Sequence, residues 1–309
     1  QAEDGIRDRS PSRGLGDVYK RQVTHGAEIF VDLSLTNNVG TIEIDGGDGV
    51  GRVTKPGLGL EIDSAAINPT PKKMILENIQ EVGEEVLGKN GIKIVVSVPT
   101  GEELAKKTDN PRIGILDGIS ILGTSGIVIP YSTASFAAAI RQQIDVVSSM
   151  NDEEVVLTTG GRSEDFAREI IKLPDHSFIQ MGDFSGYTIQ QCAKKSLKKA
   201  YVAGFIGKLA KMAAGVKQTH VKGGKVDMKF LSELAKRCNA NSETIRKILG
   251  ANTARNVQEI VIEDSVDGFF DEITKETCNQ MRQHSEEKIP VEVILFNFDG
   301  NILSRYEKT

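Results

Sequence analysis

The sequence has no surplus of positive charge. It sets 38 Lys and Arg against 43 Asp and Glu, a net charge of −5 over 309 residues. A general nucleic-acid binder needs a basic surface, so that class is set aside. No apolar run is long and charge-free enough to span a bilayer, and no signal peptide is visible. Cysteine is scarce: Cys192, Cys238 and Cys278 are odd in number and far apart. That argues against a disulfide framework and for free, mostly buried thiols in a reducing cytoplasm. His25, His176, His220 and His284 are the four histidines, and they form no ligand pairs. No structural zinc site is expected. The sequence also lacks a Gly-x4-Gly-Lys-Ser/Thr loop, a clean Gly-x-Gly-x-x-Gly and a Gly-x-Ser-x-Gly elbow. Walker-type nucleotide binding and elbow-type serine hydrolysis are thereby disfavoured.

What is present is an ordinary globular composition, 39% hydrophobic and 26% charged, long enough for about two domains. Residues 1–22 stand apart. They are highly charged, have no apolar period and cannot bury enough surface to fold. They resemble translated adaptor sequence and are taken as a disordered or non-native leader.

From residue 23 to 62 the chain alternates in strand fashion through Ala27, Ile29, Val31 and Leu33, then Ile42 and Ile44. A glycine-rich basic loop follows, from Gly46 through Arg52, Thr54 and Lys55 to Gly57. A helix is expected over about 72–87, with Ile75, Ile79, Val82 and Val86 on its apolar side. A buried strand is expected over 92–98, then a helical turn. Residues 110–130 carry four glycines among Ile, Leu and Val, read as short buried strands with tight turns at Asp117-Gly118 and Thr124-Ser125-Gly126. Such turns can leave N–H groups pointing outward to hold an anion.

After a helix over about 134–148 come three units of strand, glycine turn and helix. Their turns are Thr158-Thr159-Gly160-Gly161-Arg162-Ser163, Gly182-Asp183-Phe184-Ser185-Gly186, and Gly204-Phe205-Ile206-Gly207-Lys208. This pattern predicts a parallel sheet with covering helices and all three turns at one end, where such folds bind ligands. Ser163-Glu164-Asp165 reads as a capped helix start. Helices are expected through 227–287, with Ser242 and Gly250 capping one of them. A closing hairpin over 291–303 is expected to turn on two residues. The fold class is therefore α/β: an α+β domain over 23–131, then a Rossmann-like parallel-sheet domain over 132–309 with C-terminal helices and a hairpin.

Several residues are candidates for chemistry. The three glycine turns either cradle a nucleotide-like cofactor or simply meet the steric needs of βα turns, and both readings stand. Lys55 and Arg112 each sit beside a proline-fixed loop. They are either solvated surface cations or, for Arg112, a bidentate grip on a carboxylate. His220 and His25 are loop histidines, either ligand contacts or without a role.

Taken together, these stretches resemble the CbiD family, the cobalt-precorrin-5B C1-methyltransferases of anaerobic cobalamin biosynthesis. The resemblance rests on Val23-Thr24-His25-Gly26-Ala27, the run from Asp45 to Leu58, Ala66-Ile67-Asn68-Pro69, and Val98-Pro99-Thr100-Gly101-Glu102-Glu103. It continues through residues 108–130, Thr158-Thr159-Gly160-Gly161-Arg162, Gly207-Lys208-Leu209-Ala210-Lys211, Ala213-Ala214-Gly215 and Thr219-His220. It covers about residue 23 to the end. The family's Gly-Tyr-Thr-Thr-Gly-type head is not found before Val23, so the first domain is expected to lack its head. Phe205 stands where the family pattern has a polar residue, often His.

The resemblance implies transfer of a methyl group from S-adenosylmethionine to ring carbon C1 of a corrinoid, giving cobalt-precorrin-6A. Cobalt arrives with the substrate and no resident metal is expected. The implied cofactor-binding residues are Thr158, Thr159, Gly160, Gly161, Arg162, Gly182, Gly204, Gly207 and Lys208. The implied substrate-binding residues are Arg52, Thr54, Lys55, Asn110, Arg112, Gly123, Thr124, Ser125, Gly126 and His220, since the corrinoid carries many carboxylates. No catalytic acid or base is obligatory, and His220 is the candidate for one. Expected partners are the corrinoid and other cobalamin-pathway enzymes, with no nucleic acid or membrane; self-association is left open. The alternatives are a non-catalytic corrinoid carrier or scaffold, and a nucleotide-dependent enzyme using the 158–163 turn.

Overall fold

A computed structural model of the chain describes Thr24 and residues 26–123, 133–219 and 225–308. The leader, His25, the turn Thr124-Ser125-Gly126 and His220 lie outside the described residues. The chain divides into two compact units, Gln1–Phe136 and Ala137–Thr309.

The first unit runs β1 (Phe30–Thr36), β2 (Ile42–Gly46), β3 (Gly49–Val50), β4 (Arg52–Val53), α1 (Pro69–Val82), α2 (Glu84–Leu87), β5 (Gly91–Ser97), α3 (Gly101–Ala105), β6 (Ile115–Leu116) and β7 (Gly118–Ile119). Strand β5 is central, antiparallel to β1 and parallel to β2. Its Ile92, Ile94 and Val96 form the core with Val50, Ile67 and Val98, and Ile75, Ile79 and Leu87 pack onto it.

The expected helix over 72–87 is corrected at both ends. It begins at Pro69, because a proline at the first turn surrenders an N–H that has no helical partner anyway. It breaks at Gly83, whose N–H still reaches Ile79 O at 2.8 Å. Of the expected apolar side, Val82 just before the break is 82% exposed and Val86 beyond it 39%, whereas Leu87 still packs on the core. Strand β1 also departs from its alternation. Val31, Leu33 and Leu35 face the same side as Val96, Ile94 and Ile92, yet each stays more than half exposed. The helices pack with side chains of β5 and β2, and none from β1 joins that core.

The second unit contains α4 (Thr133–Ser149, beginning just before the division), β8 (Glu154–Thr158), α5 (Gly161–Ile170), β9 (Phe178–Gln180), α6 (Ser185–Lys194), β10 (Lys199–Phe205) and α7 (Ile206–Ala213). It continues with α8 (Met228–Arg237), α9 (Ser242–Gly250), α10 (Ala254–Glu263), α11 (Phe269–His284), β11 (Val291–Phe296) and β12 (Ile302–Lys308). The sheet order is β12-β11-β10-β8-β9. Strands β9, β8, β10 and β11 are parallel, and β12 closes the edge antiparallel to β11. Val156, Phe178, Ala203, Ile294 and Phe296 line one face, where Ala167 of α5 packs.

Four local expectations are corrected here. Helix α5 starts at Gly161, with Gly160 rather than Ser163 at its cap; Ser163 lies inside and turns its Oγ back to Gly160 O at 2.8 Å. Helix α9 is capped by Asn241, not Ser242: Asn241 Oδ1 accepts from Glu243 N at 3.0 Å and Thr244 N at 2.9 Å. Gly250 is still helical, and Ala251 is the C-cap. Strand β11 is buried at every residue, because β10 and β12 flank it and the sheet is covered on both sides. Its hairpin loop spans five residues, 297–301, rather than two. Asn297 Oδ1 holds the loop by accepting from Asp299 N and Asn301 N at 2.9 and 2.8 Å.

Among the described residues no helix is long and apolar enough to cross a membrane. The three cysteines are free, and complete burial pushes the Cys192 thiol up to about 12.

Candidate functional site at the ends of the parallel strands

Parallel pairing puts the three glycine turns together at the carboxyl ends of β8, β9 and β10. From β8 the chain moves outward to β9, then returns on the other side of β8 as β10 and continues toward β11. The winding direction reverses between β8 and β10, and ligands of open α/β sheets bind at such a reversal.

The glycines there fall into two kinds. Gly204 is glycine because Thr159 packs on it: a Cβ would stand 2.7 Å from Thr159 Cγ2. Gly182 adopts a φ of 53°. Gly160 and Gly207 have no such internal reason, since a Cβ on either would meet nothing within 4 Å. Their missing side chains face open space beside the strand ends, which lets another molecule approach the backbone closely.

The polar groups at this edge are equally informative. Thr159 Oγ1 and Ser163 Oγ share a 3.2 Å hydrogen bond. Thr158 is fully buried, and its Oγ1 has no partner among the described residues. A buried hydroxyl left unpaired costs about 1–3 kcal/mol, so this atom suits a ligand or water that completes the site. Lys208, on the first turn of α7, is ion-paired to Asp183 in the β9 turn. Asp183 Oδ1 also accepts from Thr219 Oγ1 at 3.1 Å, and its carbonyl accepts from Thr219 N at 2.9 Å. Lys211, one turn further along α7, is buried and donates to Thr219 O at 3.0 Å. Burial holds its pKa below the ordinary lysine value. Two lysines and one aspartate therefore fix the segment leading to His220.

Arg162 extends from the first turn of α5 over the rings of Phe166 and Phe205, 5.9 Å from each centroid. Its Nη2 donates to Phe298 O.

The first unit gathers a second set of candidates. Pairing of β4 with β6 brings residues 52–55 beside 110–116. Thr54 donates through both N and Oγ1 to Gly114 O, at 2.7 and 2.8 Å. The methylenes of Lys55 lie over Gly114, where a Cβ would stand 2.4 Å from Lys55 Cγ, and Lys55 Nζ is 3.5 Å from Arg112 O. Asn110 is bound into the same corner through Gly118 O at 3.2 Å. Arg52 is turned to structural work: it donates to Asp45 Oδ1 at 2.7 Å and Gly46 O at 2.8 Å, and Asp45 is held below the usual carboxylate range by that hydrogen bond. Gly123 has a φ of 144°.

At the Asp117-Gly118 turn, Gly118 is packed closely against backbone. Gly101 and Gly118 both pack against the Gly49 backbone, and a Cβ on Gly101 would stand 2.0 Å from Gly49 O.

Comparison with known proteins gives one consistent result. Residues 17–130 match the family described as CbiD, and residues 218–307 match that described as CbiD, C-terminal domain. The Cobalt-precorrin-5B C(1)-methyltransferase of Priestia megaterium is 45% identical over 91% of this chain and 77% of its own length. That of Geobacillus kaustophilus is 43% identical, over 91% and 76%. The chain belongs to the CbiD family.

A crystal structure of the cobalamin biosynthesis protein (cbiD) from Archaeoglobus fulgidus matches with a TM-score of 0.27 and 25% identity. It covers 79% of this CbiD chain and 63% of that one. Three features of the strand-end edge were not singled out from the sequence of this CbiD member: Asp183 as the anchor of Thr219, Phe298 as the ring stacked on Phe205, and Arg255 over Phe298. Asp183 stands within a glycine turn already under suspicion. Phe298 and Arg255 come from distant segments that carry no motif.

Proposed function

We propose that the protein is an S-adenosylmethionine-dependent methyltransferase that adds a methyl group to C1 of cobalt-precorrin-5B, giving cobalt-precorrin-6A. The observation that carries this reading is the identity of 45% along 91% of the chain with a curated Cobalt-precorrin-5B C(1)-methyltransferase. The strand order and the reversal between β8 and β10 support a Rossmann-like site for the donor in the second unit.

S-adenosylmethionine, when bound, supplies a methyl group already activated on its sulfonium. The chain's task is then to bind and align. Gly160 and Gly207 admit the ligand close to backbone, and Thr158 Oγ1 and the Thr159–Ser163 hydroxyl pair offer hydrogen bonds. Lys208 stays oriented through Asp183. Lys55 and Arg112 provide positive charge for corrinoid carboxylates, while Asn110 and Thr54 hold their loops in place. Alignment of this kind accounts for up to ~7–11 kcal/mol of a barrier in favourable systems. No proton needs to move through a side chain for the methyl to leave sulfur. The free thiols support a reducing, cytoplasmic setting.

Titration calorimetry with S-adenosylhomocysteine and with ATP tests the donor assignment. Binding of S-adenosylhomocysteine alone is expected. Tight binding of ATP in its place would overturn it.

A further inference from the structure

At the far side of the same edge stands a pair of rings flanked by two cations. Phe205 is the last residue of β10, and Phe298 follows β11 in the hairpin loop. Their rings are parallel within 8°, with centroids 5.2 Å apart. The loop is seated by Gly300, where a Cβ would stand 2.7 Å from Phe166 Cε1. Arg255, at the start of α10, lies over the Phe298 ring at 4.8 Å from its centroid. Arg162 flanks Phe205 from the other element. Two strands, a hairpin loop and two helices thus converge to hold two guanidinium groups around one aromatic pair.

The chemistry of this arrangement is specific. A guanidinium lying against a ring gains from the ring's quadrupole and keeps its N–H edge free in its own plane. The Arg255 side chain is 65% exposed, and its one ion pair among the described residues, through Nε to Glu259 at 3.2 Å, joins side chains both more than half exposed. Such a pair holds loosely, so the two Nη groups are available to a carboxylate in bidentate geometry. Phe205 and Phe298 are half-buried, which leaves ring edges to lean on a flat apolar body. A ligand that suits both features is planar, broad and apolar, with carboxylates at its rim.

We propose that Arg255, lying over the Phe298 ring of the Phe205–Phe298 pair, is a substrate-binding residue that takes a peripheral carboxylate of the corrinoid. This rests on the methyltransferase reading above. The ring pair stands at the strand-end edge where the donor is placed, so gripping the substrate rim there brings the macrocycle to the methyl group.

The test uses the whole chain, calorimetry and two stable probes: cobyrinic acid, which keeps its carboxylates, and cobinamide, in which they are amides. The wild-type protein is expected to bind cobyrinic acid at least tenfold more tightly than cobinamide. Arg255→Ala should weaken cobyrinic acid about tenfold, leave cobinamide within twofold, and leave S-adenosylhomocysteine within twofold as a control for folding. Arg255→Lys should fall between, because it keeps charge without the planar fork. Equal weakening of both corrinoids, or of neither, overturns the assignment of Arg255 while the methyltransferase reading stands. A wild-type protein that binds neither corrinoid overturns both.

Discussion

Gly118 lies flat against Gly49: a Cβ on Gly118 would stand 2.3 Å from Gly49 O, and one on Gly49 would stand 1.8 Å from Val98 O. Gly49 also has a φ of 71°. The contact lets β3 and β7 pair parallel at Gly49↔Gly118 and allows α3 to start against them.

Glycines of this kind and those of the ligand edge should respond to alanine in opposite ways. Gly49→Ala adds a clash to a strained backbone and should lower stability by about 2–4 kcal/mol. Gly207→Ala enters open space within a helix, where alanine is favoured by ~1 kcal/mol. Its melting temperature should rise while affinity for S-adenosylhomocysteine falls at least fivefold. Thermal unfolding and calorimetry on the two variants check this. Undiminished affinity in Gly207→Ala would remove that glycine from the ligand edge.

Acid sensitivity should centre on Glu292. Its side chain is 3% exposed on β11, salt-bridged to Lys199 at 2.7 Å and to Arg305 of β12. Burial raises its pKa, but hydrogen bonds from Arg305 and Lys199 outweigh burial and hold the carboxyl below its ordinary value of 4.5. For Lys199, burial is outweighed in the same way by Glu292 and Glu307, and its pKa is raised. A carboxyl depressed in the folded state stabilises above its unfolded pKa, and that contribution is lost as pH falls through the folded value. The raised Lys199 keeps its share until strongly alkaline pH. Glu292→Gln should cost about 1–3 kcal/mol at neutral pH, less than a fully buried pair because Arg305 is half exposed. The gap from wild type should close as pH falls below the ordinary carboxyl value of 4.5 and through the depressed folded one. A gap independent of pH would mean the loss is one of packing.

Asp183 is expected to act as a positioning residue. Asp183→Asn keeps shape but removes the charge that pairs with Lys208 and fixes Thr219. Combined with Lys208→Met it should show a coupling of about 1–2 kcal/mol in unfolding. It should also weaken S-adenosylhomocysteine while Arg112→Ala does not. Additive stability changes in the double variant would show that the pair is not coupled.

The strand-turn-helix units, the positions of their glycine turns and the hairpin at the end were legible from periodicity and turn residues alone. Local sequence determined these because a β-strand repeats every two residues, a helix every 3.6, and glycine marks tight βα connections. The family was legible for a different reason, a string of matched motifs from residue 23 onward. Helix limits at Pro69, Gly83 and Asn241 depended on which residue met an unpaired backbone group, a choice between neighbours one to three positions apart.

Tertiary structure alone decided what each glycine is for. Gly49 and Gly118 touch each other, whereas Gly160 and Gly207 face open space, and nothing local separates the two pairs. It alone turned Arg52 toward Asp45, left β1 exposed despite its alternation, and stacked Phe298 on Phe205 with Arg255 outside. Those relations join residues tens of positions apart. They arise from strand register and sheet order, which depend on the packing of the whole unit rather than on any local pattern.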